Sequence, residues 1–263
     1  MTGDSTARKE LETLDREIQL LGHIAAQLSW DQETYMPPKA VTERADQLAT
    51  LEAAIHRRGT DPRLGDLLSE AEAEGDGGDS SEAGAPDDER RRALLREMRR
   101  TYDRRTKLPA ALVTEIARQA SINQAAWVRA RNESDFTLFS SELERTLQLI
   151  LEKAACLATD ASTSPYDALL DEFEPYMRTT DVTAIFDNLR PALVDLLQRV
   201  RGSAVTIDDG VLGRSYDLTK QKQVSESLLR SLGFESERGR LDVSAHPFST
   251  TLGADDVRLT TGP

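Results

Sequence analysis

Apolar side chains at intervals of three and four residues run through the first two thirds of the 263-residue chain. Because 3.6 residues make one helical turn, this spacing places the apolar side chains on one face of a helix. The clearest stripes precede and follow the pair Pro37 and Pro38: Leu11, Leu14, Ile18, Leu21, Ala25 and Leu28, then Val41, Ala45, Leu48, Leu51 and Ile55. The pattern predicts two neighbouring amphipathic helices and a mainly α fold.

The same spacing predicts further helices as far as Leu232, including one with apolar residues from Val182 to Val200. Pro191 lacks a backbone donor, so it should kink or divide that helix. After Gly239, apolar and polar residues alternate, which predicts two short strands that could pair antiparallel. The first contains Leu241 and Val243, and the second contains Val257 and Leu259. We expect a multi-helix, bundle-like scaffold with a small antiparallel β element near the C-terminus, in a single helical domain over residues 1–263.

Residues 72–89 contain eight acidic side chains, no basic one, and no apolar residue larger than alanine. Such a segment cannot bury enough apolar surface to offset the entropy lost on ordering, so we expect a disordered acidic loop there. A calcium-binding loop is the alternative. The acidic residues around Asp76 and Asp79 lack the ligand spacing and closing glutamate of an EF-hand, which disfavours that alternative.

The chain carries 46 acidic against 33 basic residues, a net charge of −13. This balance argues against a nucleic-acid partner, because binding to phosphates needs a basic face. No apolar run reaches the length of a membrane span, so we expect no membrane partner and a cytoplasmic location. The single cysteine, Cys156, lies among helix-forming residues and is expected to be a buried structural thiol.

Two short motifs near the C-terminus contain residues that could carry chemistry: His246-Pro247-Phe248 and Asp256-x-Arg258-x-Thr260. The Arg258 guanidinium could bind a carboxylate in two-point geometry, or it could form an ion pair with Asp256 at a strand edge. His246 could equally be a structural histidine with satisfied hydrogen bonds. Earlier in the chain, Trp30 to Glu33 is best explained as a buried tryptophan with hydrogen-bonded acids at a helix end.

These motifs, with Trp30 to Pro37 and Pro165 to Pro175, resemble the characteristic blocks of the carboxypeptidase Taq family, the M32 zinc metallocarboxypeptidases. The blocks occur in the family's order over roughly residues 11–261. Phe173 and Tyr176 depart from the pattern, since the family usually has tyrosine and glycine there. The resemblance implies a peptide substrate, a zinc cofactor in the intact enzyme, and a substrate-binding or supporting role for the following residues: His246, Pro247, Phe248, Asp256, Arg258 and Thr260.

Zinc chemistry in that family uses a His-Glu-x-x-His helix, in which two histidines hold the metal and the glutamate acts as general base. This sequence has no such motif, and no two of its three histidines, His23, His56 and His246, are four residues apart. We therefore expect no metal ligand, no catalytic residue and no bound zinc in this chain.

The resemblance then leaves two expectations for what the chain does. In the favoured one, it is the N-terminal part of an M32 carboxypeptidase, is inactive alone, and associates with the missing C-terminal half. In the other, it is a stand-alone, non-catalytic module that binds peptides or forms a homodimer.

Overall fold

The computed structural model describes residues 6–76, 86–158 and 163–262. Nine α-helices and three strands lie within those residues, so the predicted mainly α fold with a small sheet is confirmed. The helices are α1 (Thr6–Thr34), α2 (Val41–Gly59), α3 (Pro62–Asp76), α4 (Pro86–Thr106), α5 (Ala110–Glu133), α6 (Thr137–Leu157), α7 (Pro165–Leu170), α8 (Thr179–Arg201) and α9 (Leu218–Ser231). A short 3-10 helix, Pro38–Ala40, separates α1 from α2 at the predicted proline break.

Both ends of the predicted acidic loop are helical, which corrects its bounds. Helix α3 continues to Asp76 and α4 begins at Pro86. A charge pair joins the two helices, in which Arg99 donates to both carboxylate oxygens of Glu72 at 3.0 and 2.9 Å. Residues 77–85, the middle of the predicted loop, lie outside the described residues.

The chain divides into two compact units, Met1–Leu157 with Gly239–Pro263, and Ala158–Arg238. The prediction of a single domain over residues 1–263 stays a prediction. The first unit contains the hydrophobic core, where α1, α2 and α3 pack their apolar stripes together. Its buried members are Leu11, Ile18, Ala25, Leu48, Ile55, Leu64, Leu67, Leu68 and Ala71.

Two glycines let α4 approach this core closely. A Cβ atom at Gly65 would lie 2.6 Å from the hydroxyl oxygen of Tyr102, and one at Gly59 would lie 2.7 Å from a guanidinium nitrogen of Arg105. The absence of these two side chains therefore makes room for the aromatic ring and the guanidinium group of α4.

A three-stranded sheet, in the order β1-β3-β2, belongs to the same unit. Its strands are β1 (Gly239–Val243), β2 (Ser249–Gly253) and β3 (Asp256–Thr261). The two strands that alternation predicts are β1 and β3, and they pair parallel, which corrects the predicted antiparallel pairing. The antiparallel pair is β2 with β3, because the intervening chain turns back through β2 before β3 begins.

The second unit contains α7, α8 and α9. A capping box starts α7: the Ser164 hydroxyl accepts the amide of Asp167 at 3.0 Å, and the Asp167 carboxylate accepts the amide of Ser164 at 3.3 Å. Helix α8 runs undivided from Thr179 to Arg201 with Pro191 inside it, so the proline does not split the helix. Neither α8 nor α9 buries any of its residues.

Tyr176 lies where the sequence departs from the family's usual glycine, and its backbone is left-handed, with φ at 68°. Side chains disfavour this conformation, which glycine adopts freely. The Asp171 carboxylate accepts the Tyr176 amide at 2.9 Å and helps to hold the turn. The substitution therefore adds local backbone strain to this turn.

Two smaller features concern Cys156 and membrane spans. Cys156 is half-buried in α6, so the prediction of a buried thiol was too strong. Within the described residues, no helix is long and apolar enough to cross a membrane.

The close approach of α4 gives a stability prediction. We expect Gly65→Ala to lower the free energy of unfolding by about 1–3 kcal/mol, because the new methyl group overlaps the Tyr102 ring. At Gly22, in the middle of α1, an added Cβ would have no atom within 4 Å. The matched change Gly22→Ala should therefore stabilise the chain by about 0.5–1 kcal/mol.

Urea unfolding followed by fluorescence suits this comparison, since both tryptophans, Trp30 and Trp127, belong to the first unit. If Gly65→Ala were as stabilising as Gly22→Ala, the close packing of α4 on α3 would be wrong.

Candidate functional site

The site is built where the C-terminal end of α1 packs against the sheet. Trp30 is buried, with 4% of its surface exposed. The ring of Tyr35, on the turn that follows α1, lies 5.6 Å from the Trp30 ring, centroid to centroid. These two aromatic rings form the surface on which charged side chains of the sheet rest.

Two arginines of adjacent strands lie over Trp30. The Arg258 guanidinium carbon is 4.6 Å from the centroid of the Trp30 ring, and that of Arg240 is 5.1 Å away. Arg240 also lies 5.4 Å from the Tyr35 ring. The parallel register of β1 and β3 places Arg240 directly opposite Arg258. Like charges opposite each other destabilise a sheet, so this pair needs compensation.

Compensation for Arg240 comes from Asp242, which lies on the same face of β1 because alternate residues of a strand face the same way. Arg240 donates two hydrogen bonds to the Asp242 carboxylate, at 2.6 and 2.7 Å. The Tyr35 hydroxyl donates a third at 2.5 Å. Burial alone would raise the pKa of Asp242, but these bonds hold that pKa below its ordinary value.

Arg258 is compensated in the same way by Asp256 on β3. Its Nη2 donates to Oδ2 of Asp256 at 2.8 Å, and its Nε donates to Oδ1. The hydrogen bond from Arg258 lowers the pKa of Asp256. The Arg258 guanidinium, which could bind a peptide carboxylate at two points, is thus already paired with a residue of its own strand. This agrees with the ion-pair interpretation of the sequence.

Thr260 fixes the segment between β1 and β2, which contains the His-Pro-Phe motif. Its buried hydroxyl accepts the amide of Phe248 at 2.8 Å and lies 2.7 Å from the hydroxyl of Ser244. Ser244 in turn donates to the carbonyl of His246 at 2.8 Å. Thr260 therefore holds the loop through its buried hydroxyl. In that loop, His246 and Pro247 are exposed and Phe248 is half-buried.

The imidazole of His246 packs edge-on against the ring of Trp127 on α5, with centroids 6.2 Å apart and planes 87° apart. Glu33 lies nearby on α1. Burial raises the pKa of Glu33, although a hydrogen bond from Gln124 and the charge of His246 oppose that rise. His246, Glu33, Gln124 and Trp127 form a partly exposed polar and aromatic rim beside the arginine pairs.

Helices α1 and α5 are held together beside this rim. Gln32 donates to the carbonyl of Ser121 at 2.8 Å and accepts the Ser121 hydroxyl at 2.6 Å. Asp31 forms an ion pair with Arg44 at 2.7 Å, so this acid fixes the turn between α1 and α2 as the sequence suggests. The contacts position Trp30 and Trp127 relative to the sheet.

Five contributors to the site were not identified from sequence: Tyr35, Gln124, Trp127, Arg240 and Asp242. Arg240 had a signal, because Arg240-x-Asp242 has the same spacing as Asp256-x-Arg258 in reverse order. Tyr35 and Asp242 are 207 residues apart, and no local pattern indicates that they meet.

The histidines do not assemble a metal site. His56 is buried on α2, where burial lowers its pKa, while His23 lies on α1 and His246 on the loop after β1. Over residues 6–76, 86–158 and 163–262, no three side chains of His, Cys, Asp or Glu are arranged to hold a metal ion. The three histidines thus lie on separate elements and do not form a metal site together.

Comparison with known proteins gives a consistent result over the whole chain. The sequence profile of the family described as carboxypeptidase Taq (M32) metallopeptidase matches residues 10–262. The chain is 35% identical to thermostable carboxypeptidase 1 of Thermus thermophilus over 268 aligned residues, which cover 99% of this chain and 51% of that protein. It is 31% identical to carboxypeptidase 1 of Bacillus subtilis, with 97% of this chain and 49% of that protein covered.

The fold gives the same result. A solved structure described as BsuCP superposes with a TM-score of 0.89 at 29% identity, covering 98% of this chain and 50% of that one. The chain therefore spans about half the length of the relatives that it matches.

The arginine pairs give a prediction on stability. Asp242→Asn should lower the free energy of unfolding at pH 7 by about 1–3 kcal/mol, because it leaves Arg240 beside Arg258 without its carboxylate. As a control, Asp46→Asn removes an exposed ion pair with Arg118 and should cost no more than about 1 kcal/mol.

The effect of Asp242→Asn should also depend on pH. Since folding lowers the pKa of Asp242 below 3.8, the ionised carboxylate stabilises the fold above that value, and this stabilisation is lost as the pH falls through the lowered pKa. Denaturant unfolding followed from pH 7 to about pH 2 should show the difference between the two proteins shrinking once the pH falls below the unfolded pKa of 3.8. An equal difference at both ends of this range would contradict the ion-pair assignment.

Proposed function

The chain belongs to the carboxypeptidase Taq (M32) family of metallopeptidases, and from that premise we propose that it forms one wall of a metallocarboxypeptidase's peptide groove and is inactive alone. In the complete enzyme, zinc or another divalent metal would activate water for removal of C-terminal residues. This chain would contribute peptide binding and shape to that enzyme. A cytoplasmic location stays a prediction.

One observation carries the proposal. Three blocks of sequence that resemble the family, around Trp30, His246 and Arg258, meet in a single cluster at the junction of α1 and the sheet. Inside the cluster the charges are paired with each other. At the rim, His246 and Pro247 are exposed.

The proposed roles follow from these positions. His246 has a ring nitrogen available to accept or donate a hydrogen bond to a peptide main chain, and Pro247 and Phe248 give the rim an apolar flank. The other three residues have supporting roles. The ion pair of Asp256 with Arg258 holds β3 against Trp30, and Thr260 holds the loop that contains His246. The Arg258 fork is engaged by Asp256, so we assign recognition of the peptide's terminal carboxylate to a residue outside this chain.

The absence of His-Glu-x-x-His from the sequence supports inactivity of the chain alone. The pair of imidazoles one turn apart, which binds zinc in such a helix, has no counterpart among His23, His56 and His246. Hydrolysis would accordingly require residues supplied by a further polypeptide segment.

An assay of the purified chain tests this directly. Incubated with a short peptide and equimolar zinc, the chain should release no C-terminal residue above the protein-free control, and dialysis followed by metal analysis should find well below one zinc per chain. One zinc per chain together with released amino acids would show that the chain is a complete enzyme.

The second candidate, a stand-alone peptide-binding module, is favoured by the exposure of His246 beside Trp127. Titration calorimetry with the same peptide separates the two. Saturable binding that His246→Ala abolishes would favour the module, whereas an isolated half-groove should give no saturable heat.

A further inference from the structure

A cavity between helices α1, α2, α3 and α4 lies apart from the candidate site. Its volume is about 480 Å³, within the range of roughly 300–1,000 Å³ that is usual for small-molecule sites. All of its lining residues belong to the first unit. On α1 the lining ends at His23, about 10 Å along the helix axis before Trp30, so the cavity is distinct from the rim that contains His246.

The inner wall of the cavity is apolar. It is lined by four buried members of the hydrophobic core: Ile18, Ile55, Leu64 and Leu68. Met98 of α4 packs against the same core and lines the cavity beside them, and its unbranched side chain can adapt to a ligand. An apolar group inserted here would be removed from water.

Two opposite charges face this cavity without a direct contact. Arg105 of α4 lies against Gly59, and Glu52 lies on the same helix as that glycine. Within the described residues, neither a hydrogen bond nor an ion pair joins Arg105 to Glu52. Burial raises the pKa of Glu52 and lowers the pKa of Arg105, while the charge of each group opposes the shift of the other. The two groups therefore attract each other across a gap.

The other acidic side chains of the cavity already have partners. Asp15 accepts a hydrogen bond from Gln19. Glu97 is exposed and lies 3.9 Å from Arg100. Glu52 and Arg105 are thus the two charged groups of the cavity that are placed to bind a ligand together.

We propose that this cavity binds a free amino acid with an apolar side chain, such as leucine. The planar fork of Arg105 donates two hydrogen bonds to the carboxylate of the amino acid, and its ammonium group donates to Glu52. The apolar side chain contacts the inner wall. A carboxylate without an amine would leave Glu52 unpaired, and an amine without a carboxylate would place a second positive charge beside Arg105, so a zwitterion matches the cavity better than either.

Titration calorimetry of the 263-residue chain with L-leucine at pH 7 tests the proposal. We expect one saturable site per chain. Three probes each lack one feature of leucine: 4-methylpentanoate lacks the amine, 3-methylbutylamine lacks the carboxylate, and glycine lacks the side chain. Each should bind about tenfold more weakly or worse, because each loses a charge-assisted hydrogen bond or the burial of an apolar group.

Four variants locate the site. Arg105→Met and Glu52→Gln should each weaken leucine binding by about tenfold or more. Arg96→Met, on the same helix but outside the cavity, and His246→Ala, at the rim, should leave it unchanged. Far-UV circular dichroism checks that each variant is folded, and the comparison of the four ligands on the unmodified chain needs no variant.

Any of four results would overturn the proposal. Leucine could give no saturable heat, or one of the three probes could bind as tightly as leucine. Arg105→Met could have no more effect than Arg96→Met, or His246→Ala could abolish binding, which would place leucine at the rim. The proposal does not rest on the proposed function, and none of these results depends on zinc, a peptide or catalysis.

Discussion

The stacking of two guanidinium groups on Trp30 is the interaction on which the site depends. A parallel register forces Arg240 and Arg258 side by side, and an indole face attracts cations but cannot cancel two charges. The carboxylates of Asp242 and Asp256 complete the balance within the same strands. As a result the sheet is fixed to the end of α1, and the loop with His246 takes its place beside α5.

The helices could be predicted because their cause is local. Stripes such as Leu11 to Leu28 identify α1 without knowledge of what the helix packs against. The pairing of β1 with β3 could not be predicted, because alternation identifies a strand but not its neighbour. Strand β2 had no signal, since Ser249, Thr250 and Thr251 give no apolar alternation.

The candidate site was predictable in part for a related reason. His246, Asp256, Arg258 and Thr260 were found through resemblance to family motifs, and the ion pair of Asp256 with Arg258 was an alternative suggested by their spacing in a strand. The contacts of Arg240 with Tyr35 and of His246 with Trp127 join segments far apart in sequence. Only the folded chain shows that the arginine fork is engaged and that Thr260 acts through the loop backbone.

The two units differ in how complete they are. The first buries leucines such as Leu67 and Leu68 fully, while α8 leaves several large apolar side chains half exposed. Fully burying one such side chain contributes about 1.5–3 kcal/mol, so the stabilisation from fully buried leucines among the described residues belongs to the first unit.

A double-mutant cycle between Trp30→Leu and Arg258→Met measures the stacking itself. Unfolding of the wild type, both single variants and the double variant is followed by far-UV circular dichroism in urea at pH 7. A coupling energy of about 1–2 kcal/mol is predicted, because each change removes the partner of the other. Additive effects, within about 0.3 kcal/mol, would show that Trp30 and Arg258 do not stabilise each other and that the junction is held by other contacts.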